Sequence, residues 1–197
     1  MNSAVTTWTK DAWATVSRLC VGLIPPPREE DVHLVPEAQL PEAFGRLLAH
    51  SHHMTPTLKA YHGGEVALRI IREAHDDDWY RRHIVLTAPG TGYVVEVGLV
   101  RIHMTMLAAT VQRDILRRQT PLGDILLEHR VMTQVKPRIF LRWDGRSDIV
   151  HPFGAGAADR FFGRLAVIYC DGQEALELLE VVTDQPGGFA APTEERS

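Results

Sequence analysis

Apolar residues recur along this chain with two different periods, and these periods divide it into helices and strands. Where the spacing is three or four residues, the pattern predicts amphipathic helices. Proline after Thr55, and again after Thr120, suits the first turn of a helix, and Gly63 suits a helix end. The predicted helices are one that ends before the prolines at 25–27, and those at 41–50, 55–63, 104–118 and 122–129.

Between these helices the period changes to two, which predicts strands. Asp171 and Gly172 separate two apolar runs and supply the strongest hairpin signal of the chain. Because short turns join most of the strands, we predict an α+β fold, a six-stranded antiparallel sheet with helices packed on one face. The predicted strands are 66–71, 79–87, 93–102, 131–143, 165–170 and 174–182.

Composition narrows the classes of protein to consider. The 197 residues are 45% hydrophobic and 23% charged, which is typical of one globular domain. The net charge of −4 comes with no basic stripe, and no apolar run approaches the roughly 18 residues of a membrane span. Cys20 and Cys170 belong to no CxxC motif, and no secretory signal is visible. We therefore expect a cytoplasmic protein with neither a nucleic-acid nor a membrane partner.

Ten histidines raise the possibility of a metal site. The densest group is His50, His52 and His53, which falls at a predicted helix end rather than on a strand. No HExxH, CxxC or two-histidine-one-carboxylate spacing accompanies the group. The three aspartates at 76–78 suit a solvated hairpin tip. We therefore predict no metal and no cofactor.

The more informative feature is charge inside apolar strands. Alternation places Arg82 on the same face as Ile84 and Leu86. In the last strand the period alone leaves two glutamates open, because Glu180 and Glu177 each share a face with apolar residues. A buried charge is costly unless it is paired with another group or with a ligand.

Four segments, taken in order, resemble the chorismate pyruvate-lyase family and the related 4-hydroxybenzoate synthases. They are Met-Thr-Pro-Thr-Leu at 54–58, Arg-His-Ile-Val-Leu at 82–86, Thr-Pro-Leu-Gly at 120–123 and Asp-Gly-Gln at 171–173. The resemblance covers residues 50–183 and implies a buried ligand pocket closed by helical flaps over the antiparallel sheet.

The resemblance also implies an activity. It is the elimination of pyruvate from chorismate, giving a hydroxybenzoate, most simply 4-hydroxybenzoate, by a carbon–oxygen lyase that needs no cofactor. Arg82 would bind a carboxylate and act with Glu180, the acid/base group. Met54 would line the pocket, and Leu122 and Gly123 would present backbone groups to the substrate.

One position departs from the family pattern. Some members carry an arginine early in the third strand, where this chain has Glu96. The alternative function is therefore a non-catalytic sensor or binding protein for an aromatic carboxylate on the same fold. The oligomeric state is left open.

The domain organisation follows from the same boundaries. We expect an N-terminal helix and proline-rich connector at 1–36, a chorismate lyase-like domain at 37–183 and a disordered tail at 184–197.

Overall fold

One antiparallel sheet organises the part of the chain that the computed structural model describes, residues 3–154 and 160–185. Most of the predicted tail, from residue 186 onward, lies outside the described residues. The helices are α1 (Ser3–Cys20), α2 (Glu42–Leu48), α3 (Met54–His62), α4 (Ala109–Leu116) and α5 (Leu122–Glu128). The strands are β1 (Val32–Val35), β2 (Ala67–Asp76), β3 (Trp79–Thr87), β4 (Val94–His103), β5 (Thr133–Asp144), β6 (Arg160–Cys170) and β7 (Gln173–Val182).

The sheet confirms the predicted α+β class, with seven strands in the order β1-β5-β6-β7-β4-β3-β2 rather than six. The extra strand is β1, which pairs with β5 so that Val32 lies opposite Trp143. It falls within the segment predicted to be a connector. A strand of four residues at a sheet edge takes its extended form from its neighbour, so its own sequence carries little alternation to detect.

Helix α1 covers one face of the sheet. Its buried residues Val16 and Leu19 belong to one apolar cluster with Leu99 of β4, Leu179 of β7 and Trp143 of β5. The prediction placed the helices on one face, whereas α1 lies opposite the others. This helix therefore shares a core with the sheet that follows it in the chain.

The remaining four helices cover the other face and form two clusters there. Leu47 of α2 and Leu58 of α3 pack in one cluster, and Ile115 of α4 and Leu126 of α5 pack in the second. Neither these helices nor α1 is long and apolar enough, among the described residues, to cross a membrane. A cavity lies where the two clusters meet over β3, β4 and β7.

Candidate functional site

The cavity has a floor of three strands and a roof of two helix starts. Its volume is about 520 Å³, including the mouth, which is within the range of small-molecule sites. We call the side chains of β3, β4 and β7 that line it the floor. The roof is the start of α3 together with the start of α5, and it consists of His53, Met54, Thr55, Pro121, Leu122 and Gly123.

Glycine at position 123 allows the two helix starts of the roof to meet. A Cβ added to Gly123 would lie 2.9 Å from Oγ1 of Thr55 and 3.2 Å from Cβ of His53. Neither helix has a side-chain cap, since the residues before them, His53 and Pro121, make no capping hydrogen bond. The first amides of a helix have no partner within the helix, so the roof brings free donors to the cavity.

Arg82 is the cationic group of the floor. It is 2% exposed, and its Nε and Nη1 have no hydrogen-bond partner. Burial lowers the pKa of this guanidinium, and the neighbouring Tyr80 partly offsets that effect. A guanidinium keeps its proton even so. Arg82 is therefore a buried positive charge with unused donors.

Glu180 on β7 is already paired. Its Oε2 accepts a hydrogen bond of 2.6 Å from Nε of Arg164, a β6 residue that is fully buried. Nη1 of Arg164 donates in turn to the carbonyl oxygens of Leu48 at 3.0 Å and His50 at 2.8 Å. The pair is a complete structural unit that fixes the loop after α2 to the sheet.

Glu96 on β4 is the unpaired carboxyl of the floor. It is 4% exposed, and its Oε2 has no hydrogen-bond partner. Burial raises the pKa of Glu96 well above its ordinary value, and the charge of Glu180 raises it further, against smaller opposing effects of Arg164 and Arg82. Glu96 is therefore a neutral carboxylic acid near pH 7.

The histidine group next to the roof is engaged in local hydrogen bonds. Nε2 of His53 lies 2.9 Å from Oγ1 of Thr133, and Nε2 of His50 donates to the carbonyl oxygen of Leu47 at 2.8 Å. Burial lowers the pKa of both imidazoles, so both are neutral at pH 7. Within residues 3–154 and 160–185, no three His, Cys, Asp or Glu side chains form a group that could hold a metal ion.

The structure brings the sequence-predicted site residues together at this one cavity. The choice between the two glutamates of β7 is also resolved, because Glu177 points to the opposite face and pairs there with Arg18 of α1 at 2.6 Å. The predicted residues that line the cavity are Met54, Arg82, Leu122, Gly123 and Glu180.

Sequence reasoning missed Arg164. The predicted strand began one residue later, at Leu165, so the charged position was left outside it. The usable signal was alternation, because Phe162, Arg164 and Ala166 share one face of β6. Glu96 was noticed only as a departure from a family pattern, and the structure shows it to be part of the floor.

Solved structures share this fold at low sequence identity. PhnF from Mycobacterium smegmatis is 13% identical, with a TM-score of 0.51 over 75% of this chain and 70% of that chain. Its effector domain alone is 14% identical, with a TM-score of 0.51 over 73% and 95% of the two chains. A protein described as the ligand-binding domain of a GntR-family transcriptional regulator from Bordetella bronchiseptica is 10% identical, with a TM-score of 0.45 over 66% and 92%. No protein-family profile and no curated protein matches the chain.

These comparisons correct the predicted activity. The resemblance implied a carbon–oxygen lyase, but the similar structures are described as effector and ligand-binding domains. The prediction of an enzyme is therefore wrong. The site agrees with this correction, because the carboxylate assigned to acid/base chemistry, Glu180, is held by Arg164.

Proposed function

We propose that this protein binds a small aromatic carboxylate without converting it, as a sensor or binding module. The observation that carries the proposal is Arg82, a guanidinium that is 2% exposed with Nε and Nη1 unpartnered. A buried charge of this kind is costly until an anion reaches it. A carboxylate accepts two parallel hydrogen bonds from a guanidinium, which fixes both its charge and its orientation.

The rest of the cavity supports an aromatic body for the ligand. Ile84, Leu86 and Leu178 line the floor around Arg82, and Met54 and Leu122 line the roof above. An apolar enclosure with a few polar groups is typical of sites for small organic molecules. The free amides at the start of α3 add donors for the same anion.

The test is a calorimetric titration of the purified protein with benzoate and 4-hydroxybenzoate. Replacing arginine by methionine keeps the length of the side chain and removes its charge. We expect Arg82→Met to weaken benzoate binding by about 10- to 150-fold, the scale of one charge-assisted interaction. Neither compound should be altered chemically during the titration.

The neighbouring residue provides a matched control. Arg81 points to the opposite face of β3, where its Nη1 pairs with Asp76 at 2.7 Å. Arg81→Met should therefore leave the affinity for benzoate unchanged. Equal affinities of wild type and Arg82→Met, or failure of the wild type to bind either compound, would overturn the proposal.

A further inference from the structure

The pairing of the strands fixes the order of polar groups along the floor. Arg82 lies opposite Val100, Ile84 opposite Gly98 and Leu86 opposite Glu96, so these pairs form three successive rows. Arg82 and Glu96 therefore lie on the same face about 13 Å apart along the strands, measured between backbones. A basic group marks one end of the floor and an acidic group marks the other.

The middle row leaves space between these ends. A Cβ added at Gly98 would lie 3.0 Å from Ile84 Cγ1 and 3.3 Å from Glu96 Oε1. The missing side chain keeps the centre of the floor open beside Ile84 and Glu96. The body of a ligand can therefore lie over Gly98 and reach both ends.

The acidic end has more acceptors than donors to serve them. Glu96 comes from β4 and Glu180 from β7, and Oε2 of Glu96 has no partner. The cation that faces them from β6, Arg164, is engaged by Glu180 and by backbone carbonyls. His53 at the start of α3 already contacts Thr133. A ligand at this end must bring its own donors.

We infer that the natural ligand is amphoteric, with its carboxylate at Arg82 and a positively charged N–H group at Glu96. This inference rests on the proposed function and adds the charge of the second ligand group. An ammonium group brings three donors, whereas a hydroxyl group brings one. It also supplies the positive charge that the two carboxyls lack once Arg164 has been engaged.

The inference has a pH signature with a defined sign. In the empty cavity Glu96 holds a proton, because burial and Glu180 raise its pKa, while Arg164 and Arg82 oppose this. An ammonium group binds the ionised form, so binding releases that proton. Below the pKa of Glu96, affinity for a cationic ligand should therefore fall about tenfold for each unit of pH.

Two compounds of nearly equal size separate charge from shape. 4-(Aminomethyl)benzoate carries an ammonium group where 4-(hydroxymethyl)benzoate carries a neutral hydroxyl. We expect the wild type to bind the aminomethyl compound at least about tenfold more tightly, as for a hydrogen bond between charged groups. Calorimetry in two buffers of different ionisation enthalpy should detect proton release with this compound only.

Variants assign the preference to one residue. Glu96→Gln matches the shape of the neutral acid and should fold, and it should abolish both the preference and the proton release. Glu177→Gln, on the opposite face, should retain both. Arg82→Met should weaken the binding of both compounds alike.

The outcomes distinguish this inference from the proposed function. If both compounds bind the wild type equally well, or if the hydroxymethyl compound is preferred, the amphoteric ligand is wrong and carboxylate binding stands. If benzoate binds and neither para-substituted compound does, the amphoteric ligand is also wrong. If none of the three compounds binds, both proposals fail together.

Discussion

Arg164 and Arg82 are both at most 2% exposed, both lie on central strands, and both point to the same face of the sheet. Arg164 pairs with Glu180 and donates to the carbonyl oxygens of Leu48 and His50. Arg82 leaves Nε and Nη1 without a partner. Burial alone therefore does not show what a charged residue is for; the partners do.

A third buried group shows why the missing partner matters for an arginine. His83 is 3% exposed, and both of its ring nitrogens lack a hydrogen-bond partner. Burial, with smaller contributions from Arg72 and Arg69, lowers the pKa of His83 to about 4. The imidazole therefore avoids the cost by losing its proton, which a guanidinium does not do. An unpartnered arginine thus indicates an external anion more strongly than an unpartnered histidine does.

The largest effect is expected from breaking the complete unit. Arg164→Met leaves Glu180 buried without its cation, and two carbonyl groups lose their donor. We expect the free energy of unfolding to fall by about 3–5 kcal/mol, the cost of removing one partner of a buried ion pair. Urea denaturation followed by circular dichroism measures it.

The matched control removes both charges. Arg164→Met combined with Glu180→Met should recover a large part of the lost stability, since no unpaired charge is left in the pair. A loss of less than about 1 kcal/mol in the single variant would show that the contrast between the two arginines is wrong.

The next effect tests the histidine. Its pKa is lower in the folded chain than in the unfolded chain, so the unfolded chain binds more protons between pH 6.5 and about 4. Stability is full above pH 6.5 and declines as the pH falls toward 4, by up to about 3 kcal/mol from this group.

His83→Leu should remove that contribution and show a flatter stability profile than the wild type in urea titrations across this range. His75→Leu, at an exposed position near the β2–β3 turn, should keep the wild-type slope. Parallel profiles of wild type and His83→Leu would contradict the neutral buried imidazole.

The smallest effect belongs to the paired charges of the opposite face. Glu177 contacts Arg18 at 2.6 Å and Arg101 at 3.2 Å, and the Arg101 guanidinium lies 3.3 Å from the centre of the Trp79 ring. Because Arg18 is substantially exposed, Glu177→Gln should cost only about 0.2–1 kcal/mol of unfolding free energy. Its affinity for benzoate should equal that of the wild type in calorimetry, and a loss of affinity would place Glu177 in the site.

Short-range pattern was enough to predict part of this molecule. Alternation within apolar strands identified Arg82 and Glu180, because a charge in a period-two run marks a definite face. The turn residues predicted the hairpin at Asp171 and Gly172, which the structure confirms as the connection between β6 and β7. The α+β class followed from these strands and their short connections.

What could not be predicted depends on contacts between distant residues. The carbonyl partners of Arg164 lie more than 110 positions away, and no local pattern encodes them. The choice between Glu177 and Glu180 depended on where α1 supplies Arg18. The fold was thus more readable than the state of its charges, and that state separates a binding site from an enzyme.

The close contact at Gly123 has a consequence for the timing of ligand exchange. The two helix starts of the roof meet at Gly123 and Thr55, and Nζ of Lys59 in α3 lies 2.9 Å from Asp124 in α5. With this contact and this ion pair in place, neither helix can swing away from the sheet while the other stays. Entry and exit then require one concerted opening, so residence time is set by the cohesion between α3 and α5 as well as by the contacts of the ligand.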